Sequence, residues 1–152
     1  MDKLPKINSS IWVTGQFCLL VMYLLTPAFI HWNTYLLLQL FAIIMMLVGF
    51  FLAALAFIQM RRFFSVFPEP KRNGYLLQRG AFSVCRHPMY AGLLLLLLGY
   101  ALFWADAGRT VVTIACFFWM YYKARFEEQQ LVQRYSDYSS YQLNVRMFPW
   151  IR

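Results

Sequence analysis

The chain has 152 residues, of which 61% are apolar, 20% aromatic and only 13% charged, a balance that excludes an ordinary soluble domain. Its net charge is +8, but the basic residues border apolar runs instead of forming one continuous face, so anionic lipid headgroups and not nucleic acid are the expected partner. Cys18 and Cys116 fall inside apolar runs and Cys85 in a loop, so neither a disulfide framework nor a zinc-type Cys and His cluster is expected.

In chain order, the first run extends from Ile11 to Ile30 without a charged residue, and about 20 such residues at 1.5 Å rise cross a bilayer. It is too long, and lacks the small-residue cleavage site, for a removable signal peptide. A short link, His31-Trp32-Asn33-Thr34, leads to a second run from Tyr35 to Met60, with Trp32 and Tyr35 as interfacial anchors. Residues 1–60 therefore predict a transmembrane hairpin that serves as scaffold. Its few polar residues, Gln16, Gln39 and Gln59, suit interhelical hydrogen bonds or span boundaries.

Residues 61–152 mix polar and aromatic residues and form the expected catalytic region. Pro68-Glu69-Pro70 breaks the loop of residues 61–87. A third run, Met89 to Trp104, and a fourth, Thr110 to Tyr122, flank Ala105-Asp106-Ala107-Gly108-Arg109, whose composition predicts a tight turn and a second hairpin. The fourth run is only about 20 Å long as a helix against a hydrocarbon core of about 30 Å. The helix is therefore expected to continue through Lys123, Arg125, Glu127 and Glu128, setting these charges at the membrane surface. Beyond them, Glu127, Leu131, Arg134, Tyr138 and Tyr141 recur at helical spacing and predict one face of a helix leaving the membrane.

Lys and Arg flank the runs unequally. Lys3, Lys6, Arg61, Arg62, Lys71, Arg72, Arg79, Arg86, Lys123, Arg125, Arg134, Arg146 and Arg152 would share one side and Arg109 alone the other. The positive-inside rule makes the larger set cytoplasmic, together with both termini. The expected fold is an all-α, multi-pass integral membrane protein with four transmembrane helices as two hairpins, a cytoplasmic loop and a C-terminal cytoplasmic helix.

Two constellations carry chemistry. In Gly80-Ala81-Phe82-Ser83-Val84-Cys85-Arg86-His87-Pro88-Met89-Tyr90-Ala91-Gly92, Pro88 suits the first turn of a helix, whose unpaired N–H groups and positive dipole end can receive a carboxylate or phosphate. Arg86 adds a charge and Tyr90 a phenol. Lys123, Arg125, Glu127 and Glu128 lie at the far end of the antiparallel partner helix, so the two groups meet at one depth. Taken singly, each also suits a snorkelling or self-paired interfacial surface.

Arg86-His87-Pro88-Met89-Tyr90-Ala91-Gly92, followed by Glu127-Glu128, Leu131, Tyr138 and Tyr141, resembles the isoprenylcysteine carboxyl methyltransferase family, in a minimal prokaryotic-type form. The related phospholipid N-methyltransferases share much of this signature, and membrane sterol reductases carry a similar Arg-His-Pro element. The resemblance covers Leu76 to the C-terminus and implies a methyltransferase that uses S-adenosylmethionine. It implies cofactor contacts at Tyr75, Leu76, Leu77, Phe82, Arg86, His87, Pro88, Met89, Tyr90, Glu127 and Glu128. Lys123, where eukaryotic members have Arg, would face the carboxylate of a lipophilic acceptor, with Arg125 as a substitute. The alternatives are a phospholipid amine N-methyltransferase, a reductase using NADPH, and a noncatalytic membrane scaffold.

Overall fold

The computed structural model describes residues 9–27, 33–60 and 76–151. They form six helices: α1 (Ser9–Leu25), α2 (Leu36–Met60), α3 (Ala81–Val84), α4 (Pro88–Phe103), α5 (Ala107–Arg134) and α6 (Tyr138–Asn144). Among the described residues there is no strand, and one isolated bridge pairs Phe148 with Ile151. The all-helical expectation holds. The 25 residues of α2 are long and apolar enough to cross a membrane, whereas α1 and α4, at 17 and 16 residues, are shorter apolar helices. The first helix stops at Leu25, short of the apolar run that continues to Ile30, because Pro27 disfavours helical geometry at Thr26. The Thr26 backbone N–H, at 2.8 Å, and its hydroxyl, at 2.7 Å, both donate to the Met22 carbonyl and close the helix end.

The turn between α4 and α5 is as tight as its composition predicts. Ala105 takes a positive φ of 52°, and the buried Asp106 caps α5 by accepting from the Arg109 backbone N–H at 3.0 Å while pairing with the Arg109 guanidinium.

The order across the bundle is α1, α5, α4, α2. The expected N-terminal hairpin is therefore not a packed pair: α1 lies on α5, α2 lies on α4, and the two do not touch. Small residues explain the choice. Ala42, Gly49 and Ala56 recur every seven residues on α2 and are buried, and α4 presents Gly92 and Gly99 with the same spacing. At Gly49 a Cβ would stand 2.6 Å from the Gly92 carbonyl, and at Gly92 one would stand 2.5 Å from that of Gly49. Such backbone approach is what drives helix association where no hydrophobic force acts between apolar helices. Gly92→Val is expected to cost about 3 kcal/mol, the upper end for overpacking, measured as a lower thermal midpoint in detergent. On the other side, Gly15 of α1 leaves the space that the Trp119 ring of α5 occupies. Trp119 donates its indole N–H to the Trp12 carbonyl at 3.1 Å, and the Tyr23 hydroxyl reaches the Leu97 carbonyl of α4 at 2.7 Å.

The single helical face expected from Glu127 to Tyr141 is interrupted. Helix α5 ends at Arg134, Tyr135 is extended (φ −118°, ψ 116°), and Ser136-Asp137, both turn formers, reverse the chain into α6. The reversal carries α6 back toward α3 and α4. Gln142 and Tyr141 thereby reach groups that a continuous helix would have left behind.

Candidate active site

The start of α4, the C-terminal half of α5 and the chain after α6 converge on one buried polar cluster. Arg86 and Glu128 are its centre, with side chains 5% and 6% exposed. The Arg86 Nε donates to Glu128 Oε1 at 2.6 Å and Nη2 donates to Oε2 at 3.2 Å, the two-pronged geometry that planar guanidinium favours. Its Nη1 donates to the carbonyls of Gln142, at 3.0 Å, and Val145. Glu128 also accepts from the Gln142 amide at 2.9 Å, and the His87 Nε2 lies 3.2 Å from it. Arg86 and Glu128 thus saturate each other and lock α4, α5 and α6 together.

Backbone bonds complete the closure. The Arg86 N–H donates to the Arg146 carbonyl at 2.8 Å and the His87 N–H to the Met147 carbonyl at 3.2 Å. Met147 and Phe148, 1% and 0% exposed, pack with Cys85, Ala91 and Ala124 between α4 and α5. Burial pushes the Cys85 thiol up to about 11, outweighing the His87 backbone N–H and the Arg86 charge that favour its thiolate, so it is an inert packing group. Burial likewise raises the hydroxyls of Tyr138 and Tyr141, keeping them as donors, and Tyr141 donates to the Phe82 carbonyl at 2.5 Å.

Glu127 is different from its neighbour. Its Oε1 accepts from the Tyr90 hydroxyl at 2.6 Å, but Oε2 lies 3.6 Å from the His87 Nδ1, beyond hydrogen-bond range, and the side chain is 16% exposed. The His87 ring stacks on Tyr90 at 5.5 Å with its plane tilted by 5°. Lys123, 2% exposed, stands over the Tyr90 ring at 5.2 Å and donates to Gln16 Oε1 of α1 at 2.7 Å. Helix α4 begins with Pro88 at its first turn and no side-chain cap, so its first N–H groups keep their capacity for an acceptor.

Of the residues singled out from sequence, Arg86, His87, Tyr90, Lys123, Glu127 and Glu128 form this cluster. Leu77, Phe82 and Met89 pack in a separate apolar cluster with Ala56 and Ala81 against α2. Pro88 is buried at the helix start, Leu76 is half-buried, Arg125 is exposed, and Tyr75 lies outside the described residues. Lys123, not Arg125, is thus the cation that faces the cluster. Gln16 and Gln59 make the interhelical bonds expected of them, Gln59 by accepting from the Ala81 N–H at 3.1 Å, whereas the Gln39 side chain donates to the nearby Thr34 hydroxyl at the start of α2. Gln142 was not foreseeable from the sequence, since its role depends on the reversal at Tyr135.

A family model described as phospholipid methyltransferase matches residues 37–138, which span α2 to the start of α6. No curated protein matches the chain.

Proposed function

Because the chain belongs to the phospholipid methyltransferase family, we propose that it is a membrane enzyme transferring a methyl group from S-adenosylmethionine to a carboxylate on a lipophilic acceptor. The observation that carries the acceptor reading is Lys123, a buried cation beside Tyr90 that has no carboxylate within 4.0 Å among the described residues. In this reading α1, α2, α4 and the apolar part of α5 cross the bilayer with both termini cytoplasmic. Exposed apolar residues such as Leu37, Phe41, Ile44, Val48, Phe51 and Leu55 on α2 support it, since hydrocarbon covers such a face and water does not.

The donor set fits the cofactor's polar groups. Glu127, whose Oε2 takes no hydrogen bond among the described residues, would accept from its ammonium or hydroxyl groups, and the start of α4, without a side-chain cap among those residues, would receive its carboxylate. When bound, the cofactor supplies a methyl group on a positively charged sulfur. The protein's task is alignment in a dry site, since an ionised carboxylate needs no base at neutral pH. Lys123 orients the acceptor, while Arg86, Glu128 and the C-terminal segment hold the frame. The exposed Arg125 is left to the membrane surface. Family membership favours methyl transfer over the reductase and scaffold readings.

The family's description names a phospholipid, and the amine of its headgroup is the second acceptor, for which Glu127 would be the base. The two acceptors differ in the bond formed. Vesicles containing the full chain, supplied with methyl-labelled S-adenosylmethionine, are expected to yield labelled lipid esters that release methanol in mild alkali. Label that survives alkali in headgroup amines would overturn the carboxylate reading.

A further inference from the structure

Helix α1 precedes the segment matched by the family model, yet it carries two groups that the frame of the site does not explain. Trp12 is 9% exposed, and its indole N–H is a buried side-chain group without a hydrogen-bond partner among the described residues, an arrangement that folded proteins rarely leave unexplained. One turn later, Gln16 accepts from Lys123, whose ammonium has three donors and makes one hydrogen bond among the described residues. Arg86 and Arg109 both have carboxylate partners; the buried Lys123 has none within 4.0 Å among the described residues.

These donors share a level of the bundle. The Trp12 ring lies 5.4 Å from Trp119 and 5.7 Å from Phe126, which precede and follow Lys123 by one turn on the same face of α5. Among the described residues the seam therefore presents an unused N–H and an ammonium without a carboxylate partner, while its carbonyl acceptors on Gln16 and Trp12 are already engaged by Lys123 and Trp119. Such a set takes an anion and rejects a cation.

We propose that the seam between α1 and α5 is an anion subsite, in which the Trp12 indole N–H and the Lys123 ammonium hold the charged head of the lipophilic acceptor and Gln16 positions Lys123. The ligand class is a single anionic head, carboxylate or phosphate, on an alkyl chain lying along the bilayer. This rests on the methyl-transfer reading for its biological meaning, but its chemistry is separable from the cofactor.

The test uses the full chain in nonionic detergent, with dodecanoate, dodecyl phosphate and dodecyltrimethylammonium as probes and S-adenosylmethionine titrated separately, all by calorimetry. At least one anionic probe is expected to bind and the cationic probe is not. Trp12→Phe, which keeps a ring and removes the N–H, should weaken the anionic probe about tenfold, as one charge-assisted hydrogen bond is lost. Gln16→Glu keeps an acceptor for Lys123 but cancels its charge. It should abolish anion binding while leaving the thermal midpoint and cofactor affinity unchanged, which a merely structural Gln16 would not do. Tighter dodecanoate points to a carboxylate acceptor and tighter dodecyl phosphate to a phospholipid head, and both uphold the subsite. Equal anion affinity in the parent protein and Trp12→Phe, or equal binding of the cationic probe, overturns it. Failure of the parent protein to bind S-adenosylmethionine overturns the methyl-transfer reading alone, because the probes require no cofactor.

Discussion

Glu128→Ala is expected to destabilise the protein by about 3–5 kcal/mol, the cost of leaving a buried charge without its partner. The side chains of Arg86 and Glu128 are 5% and 6% exposed, so water cannot take over when the carboxylate is removed. The loss extends past one ion pair, since the same carboxylate accepts from Gln142 and lies beside His87. Thermal unfolding in detergent measures it. The double variant Arg86→Met with Glu128→Leu should recover much of that loss, because an apolar pair of similar volume has no desolvation to offset. Equal destabilisation in the single and double variants would show that the pair is not the lock between α4, α5 and α6.

Glu127→Gln is expected to act on binding and leave the fold alone. The amide oxygen can still accept from Tyr90, so the thermal midpoint should hardly move. Affinity for S-adenosylmethionine should fall by about 10- to 100-fold, the value of a hydrogen bond to a charged group. Calorimetry on the variant decides, and unchanged affinity would remove Glu127 from the cofactor site. Two adjacent glutamates thus have opposite expected signatures, one in stability and one in affinity. The difference arises because Glu128 is saturated by protein donors and Glu127 keeps an oxygen outside hydrogen-bond range of His87.

The meeting of Arg86, His87 and Tyr90 with Glu127 and Glu128 was legible in the sequence because a tight turn at Asp106 fixes α4 and α5 as antiparallel neighbours. The position of α1 was not. Helices that are apolar all round carry no periodic signal of which side faces protein, and the relevant signal was instead the seven-residue spacing of Ala42, Gly49 and Ala56 against Gly92 and Gly99. The docking of Arg146 and Met147 onto Arg86 and His87 was also hidden, because it runs through backbone groups that every residue type shares. Helical spacing from Glu127 to Tyr141 misled because it ignored the turn-forming Ser136-Asp137 that reverses the chain.

The partners of Arg86 have a consequence for the order of synthesis. Its guanidinium bonds to groups 42, 56 and 59 residues further along the chain. During elongation from the N-terminus, this cation emerges long before anything that can neutralise or cap it. Water and lipid headgroups must hold it until Glu128, and then the carbonyls of Gln142 and Val145, have been made. The frame of the site therefore closes only after α6 has been made, and a ribosome that stops before residue 128 leaves the buried cation without its counter-charge.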